Sequence, residues 1–65
     1  MDNPDTLKAD IKKLSSQAVQ AKMNLHDLSE DLPLNWDKIP EVAQATFQVY
    51  EKLAAAKQKL AALGS

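Results

Sequence analysis

His26 and Glu30 stand four residues apart, and Asp27 adjoins the histidine. On a helix that spacing puts the imidazole and the Glu30 carboxylate on one face, a turn apart, where they can share a first-row divalent metal ion. Two ligands make half a site. A twofold axis bringing a second His26 close would double the count, so metal binding at His26 implies a dimer. A solvated or interface histidine has the same sequence signature and is the commoner use of such a residue. Little other chemistry is on offer. The chain has one histidine and no cysteine, so neither a Ser–His–Asp arrangement nor a thiolate site can be assembled. A glycine-rich phosphate loop is missing. The carboxylates crowd an exposed stretch, where no cleft tunes their acidity. The expectation is a non-enzyme with no cofactor, a divalent ion at His26 excepted.

These residues must be positioned by a long helix. Asn3 is a favoured N-cap, Pro4 suits the first helical position, and Asp5 places negative charge at the positive end of the helix dipole. Leu7, Ile11, Leu14, Ala18, Ala21, Leu25, Leu28 and Leu32 then recur in steps of four and three, the heptad seam of a helix packed lengthwise on another. Pro33 ends it, because the residue before a proline is pushed out of the helical region. A second seam, Ile39, Val42, Thr46, Val49, Leu53, Ala56, Leu60 and Leu63, keeps the same rhythm, and Gly64 is placed to end it as a C′ residue. The spacing predicts one domain: helix 1 over about residues 4–32, a turn over about 33–38 with a short 3₁₀ segment around Trp36, and helix 2 over about 39–63.

The two seams fit each other. Facing residues of an antiparallel hairpin have nearly constant index sums, and from Leu32–Ile39 to Leu7–Leu63 every seam pair sums to 70 or 71. Small faces large at Ala18–Leu53 and Ala21–Val49, which lets the layers interdigitate. The fold class is therefore all-α, an antiparallel helical hairpin. A chain of 65 residues with no disulfide is marginal on its own core. A homodimer is expected when the protein is alone, two hairpins closing into a four-helix bundle.

Residues off the seam carry the candidate contacts. Val19 and Met23, with His26 continuing the stripe, lie off the seam of helix 1, and Phe47 and Tyr50 flank the seam of helix 2. Scattered surface apolar residues are normal. In so small a domain, however, these large side chains at matched heights read as a self-association or partner surface. Trp36 either plugs the end of the helix pair or anchors a partner, since Trp is enriched at interface hot spots. Asp27, Glu30, Asp31, Asp37 and Glu41 make the turn end acidic, while lysines crowd the open end; an acidic tip prefers a basic patch on a partner. The net charge is −1 and all eight cations are lysine, so no nucleic acid is expected as a partner. No apolar run reaches the roughly 20 residues that span a bilayer, and the acidic, polar N-terminus is no signal peptide. The expected location is cytoplasmic.

The stretch QAKMNLHDLSEDLP followed by NWDKIPEVAQATFQVYEKL resembles a small family of two-helix, Rop-like proteins associated with nitrogen fixation. The resemblance spans roughly residues 17–53, with the HDL, EDLP and W-x-K-I-P-E elements standing in order. It implies a hairpin, dimeric when alone, and an accessory role. The implied partner is nitrogenase, its molybdenum–iron protein in an immature, damaged or inactive state. The shared stretch takes in His26, Asp27, Glu30 and Trp36, and His26 matches a candidate metal contact of the family. The partner-binding residues expected on all these grounds are Val19, Met23, His26, Asp27, Glu30, Trp36, Phe47 and Tyr50. A metal-handling dimer built on His26 is the alternative. RNA binding by a Rop-like bundle is a further one, which the charge balance disfavours.

Overall fold

The computed structural model describes residues 3–63. They form two antiparallel helices, α1 (Pro4–Asp31) and α2 (Ile39–Ala62), joined by a turn that ends in a 3₁₀ segment over Trp36–Lys38. Asn3 caps α1, its side-chain oxygen accepting from the Thr6 amide at 2.8 Å, with Pro4 opening the first turn. The 28 residues of α1 extend about 42 Å at 1.5 Å per residue, and the molecule measures 46 × 15 × 15 Å. The Gly64 terminator lies outside the described residues.

α1 stops at Asp31. Leu32, before the proline, takes an extended conformation (φ −56°, ψ 141°), and the Leu32–Pro33 bond is cis. The chain then reverses through Asn35 at φ 59°, ψ 27°, a left-handed conformation that asparagine tolerates better than most residues. The Asn35 carbonyl accepts from the Lys38 amide at 3.0 Å. Its side chain makes no capping hydrogen bond. Pro40 sits in the first turn of α2, where its missing amide proton is no loss.

The seam holds the hairpin together. Leu7, Ala18, Leu28 and Leu53 are buried. Among the described residues, every half-buried one lies on the seam except Ser15. Thr46 is the one polar residue in the seam. Its hydroxyl donates to the Val42 carbonyl at 2.8 Å, with the Ala21 carbonyl of α1 at 3.4 Å, so the polar group is satisfied. The seam loosens at its ends, where Leu32, Ile39 and Leu63 are exposed. No described side chain reaches below 2% exposure, as expected when each helix has a single neighbour.

Leu53 packs into the middle of this seam, opposite Ala18. Leu53→Ala should lower the unfolding free energy by about 2–4 kcal/mol, read as a lower urea midpoint. Gln48→Ala, on the solvent side of α2, should stay within about 0.5 kcal/mol of the parent.

Candidate functional site

Burial follows the seam, so each remaining residue has a definite place around its helix. In an antiparallel pair the positions flanking the two seams meet along two sides of the hairpin. One side carries Asp10, Gln17 and Asn24 of α1 beside Ala45, Lys52 and Lys59 of α2. Two shallow grooves run along it: one of ≈ 430 Å³ floored by Leu7, Leu14 and Ala56, and one of ≈ 150 Å³ at Ala21 and Val42. The other side carries Ser15, Lys22 and Ser29 beside Ala43 and Tyr50, with Val19 and His26 on the α1 rim and Phe47 and Ala54 on the α2 rim.

This second side brings together four of the expected contact residues, Val19, His26, Phe47 and Tyr50. Val19 is 55% exposed and Phe47 61%, while Tyr50, nearer the seam, is 41%. Ala43, Phe47, Tyr50 and Ala54 repeat in steps of four, three and four, a second apolar stripe alongside the seam of α2. Met23 is also exposed, but it projects from the back of α1, directly away from α2. It shares a height with Phe47 and points elsewhere. Asp27 falls on the grooved side of the back of α1 and joins neither group.

His26 Nε2 lies 2.8 Å from Glu30 Oε1, both side chains being about two-thirds exposed. The imidazole donates to the carboxylate from Nε2, which leaves Nδ1 facing solvent. Ser29 Oγ donates to the His26 carbonyl at 2.7 Å. Among the described residues no three His, Cys, Asp or Glu side chains are grouped to hold a metal ion. Among the described residues the His26–Glu30 pair is the donor set at this place, so a second copy would have to complete a site built on it.

Trp36 departs from one of its two expected roles. It is 68% exposed, so it does not plug the end of the helix pair. The left-handed Asn35 turns the 3₁₀ segment outward, and the indole is presented at the tip. Leu34, which the sequence reading passed over, is beside it at 69% exposure. An apolar residue between a proline and an asparagine in a turn was the available signal, because such a position is ordinarily polar. No described helix is long and apolar enough to cross a membrane.

Known proteins bear on this geometry. A family model described as Rop-like matches residues 2–65. The chain is 60% identical over 60 residues to a UPF0437 protein of Azorhizobium caulinodans, covering 92% of this chain and 87% of that one. It is 43% identical over 44 residues to a Frankia alni protein named as a UPF0437 protein in the nifX-nifW intergenic region, covering 68% and 54% of the two chains. Among solved structures it resembles an NMR structure of the structural-genomics target McR1, with TM-score 0.88 and 44% identity over 97% of this chain and 89% of that one.

Residues presented to solvent in this way should be nearly silent in stability. Trp36→Ala and His26→Ala should each leave the unfolding free energy within about 0.5 kcal/mol of the parent, measured by urea titration on circular dichroism at a fixed protein concentration. A larger loss for Trp36→Ala would mean the indole packs on the fold after all.

Proposed function

The chain belongs to the Rop-like family, and from that premise we propose that it is a non-catalytic accessory factor of nitrogen fixation. It is similar in this to nitrogenase-associated factor T. In this reading it works in the cytoplasm and binds nitrogenase, its molybdenum–iron protein in an immature, damaged or inactive state. The contact is made by the apolar side bearing Phe47 and Tyr50, together with the hinge. One observation carries the reading: the chain is 43% identical over 44 residues to a relative named for its place in a nifX-nifW intergenic region. The large apolar side chains that face outward, Val19, Phe47 and Tyr50 among them, suit a docking surface.

The free protein is a homodimer in this reading. The hairpin exposes 5068 Å², whereas a compact protein of its mass exposes about 4,100 Å². The excess is about 970 Å², of the order of the roughly 800 Å² each partner contributes to a standard interface. The stripe of Ala43, Phe47, Tyr50 and Ala54 supplies the apolar core of such a contact. Two hairpins lying head to tail would also set the acidic turn end of each against the lysine-rich open end of the other. Binding nitrogenase then exchanges one apolar contact for another, which keeps the cost of uncovering the surface small. Nine carboxylates against eight lysines and no arginine give no net positive charge to favour RNA.

A second reading has its own support in the 2.8 Å contact of His26 with Glu30. Paired across a dimer, two such sites could hold a first-row divalent ion through Nδ1 or Nε2. His26→Ala should then abolish the heat of zinc or cobalt titration. Unchanged heats would remove the metal-handling reading.

Sedimentation velocity tests the first reading, with the protein alone and mixed with the molybdenum–iron protein in active and turnover-inactivated forms. The expected result is a dimer that co-sediments preferentially with one of those forms. Phe47→Asp should shift the free protein to monomer without loss of helicity per chain. A species that ignores every form of the molybdenum–iron protein would sink the accessory-factor reading.

A further inference from the structure

The hinge end displays more apolar surface than the fold uses. Leu34 and Trp36 are 69% and 68% exposed, and the last seam pair, Leu32 and Ile39, is 40% and 38% exposed. These four side chains come from one short stretch of chain and gather at one end of a rod 15 Å across. The backbone beneath them is fixed by hydrogen bonds. The Leu34 amide donates to the Asp31 carbonyl at 2.9 Å and the Lys38 amide to the Asn35 carbonyl at 3.0 Å, while the Ile39 amide donates to the Trp36 carbonyl. Ordered presentation lowers the entropy lost on docking. Asp31, Asp37 and Glu41 frame the cluster, with Lys38 the nearest cation. Phe47 lies about 12 Å further along α2 at 1.5 Å per residue, so tip and lateral face are distinct surfaces.

We propose that the hinge end is an anchor that inserts end-on into an apolar cleft of the partner protein rimmed by lysine and arginine side chains. Charge complementarity selects this occupant. Three carboxylates against one lysine repel an acidic rim and favour a cationic one, and the indole with three aliphatic side chains requires apolar walls. Because Leu34 and Trp36 lie beyond the lateral stripe of Phe47 and Tyr50 along the rod, anchoring and self-association are separable by mutation. The inference rests on the accessory-factor reading and specifies which part of the chain enters the partner.

The test measures binding of the molybdenum–iron protein to the wild-type protein, Trp36→Ala and Leu34→Asp. A parallel sample carries 5-fluorotryptophan at Trp36, the one tryptophan of the chain. Circular dichroism and sedimentation confirm that each variant keeps its helicity and its self-association. The expected result is affinity about tenfold lower or more for both variants, steeper salt dependence of the wild type than of Asp37→Lys, and a fluorine resonance that loses solvent access in the complex. Wild-type affinity in both variants, or a fluorine resonance still open to solvent in the complex, overturns the anchor and leaves the accessory role standing. Absence of any wild-type complex removes the accessory role, and the anchor falls with it.

Discussion

Two helices have one line of contact, and everything else in this molecule follows from that limit. A helix packed against a single neighbour buries the residues that face it and little beside. Leu7, Ala18, Leu28 and Leu53 are buried, and the rest of the seam is half covered except at its ends, where Leu32, Ile39 and Leu63 are exposed. The molecule is correspondingly drawn out: its radius of gyration is 14.7 Å, against about 10.7 Å for a compact domain of this length. Apolar side chains that a larger domain would enclose are left on the surface. In this chain most of them fall on one lateral side and at the hinge end, with Met23 at the back of α1 and Leu63 at the open end lying apart.

The sorting has local causes. Along α2 the apolar residues form two stripes in the same four-three rhythm, and only the first holds buried and half-buried residues. The second, with Phe47 and Tyr50, is left facing outward beside a strip of small and polar α1 residues, Ser15, Lys22 and Ser29. The opposite side pairs Asp10, Gln17 and Asn24 with Lys52 and Lys59, and its grooves are shallow and charged at the rim. At the hinge, Pro33 stops α1 and Asn35 turns the chain left-handed. The residues between and just after them, Leu34 and Trp36, cannot reach back to the seam. A sharp reversal and a displayed apolar tip are thus two results of the same backbone.

The His26–Glu30 pair illustrates how little a single exposed contact decides. Its geometry is good at 2.8 Å, yet both side chains are mostly in water, where such a pair contributes a few tenths of a kcal/mol. Its significance for this protein therefore lies in what else comes near it.

Much of the fold was legible in the sequence, because the information that sets a hairpin is one-dimensional. Apolar residues in heptad steps define each seam, constant index sums define the pairing, and Asn3, Pro33 and Pro40 mark where helices begin and end. All of these depend on neighbours along the chain or on a single register. The candidate site was less legible. An index sum fixes the height of a residue along the rod and says nothing of its direction around the helix. Met23 and Phe47 share a height, yet only the packed pair of helices puts Met23 at the back of α1 and Phe47 on the side with Tyr50, Val19 and His26. Trp36 likewise has the composition of a core residue. Its exposure was decided by the left-handed Asn35 and the outward 3₁₀ turn, which together carry the indole away from the one contact line that two helices possess.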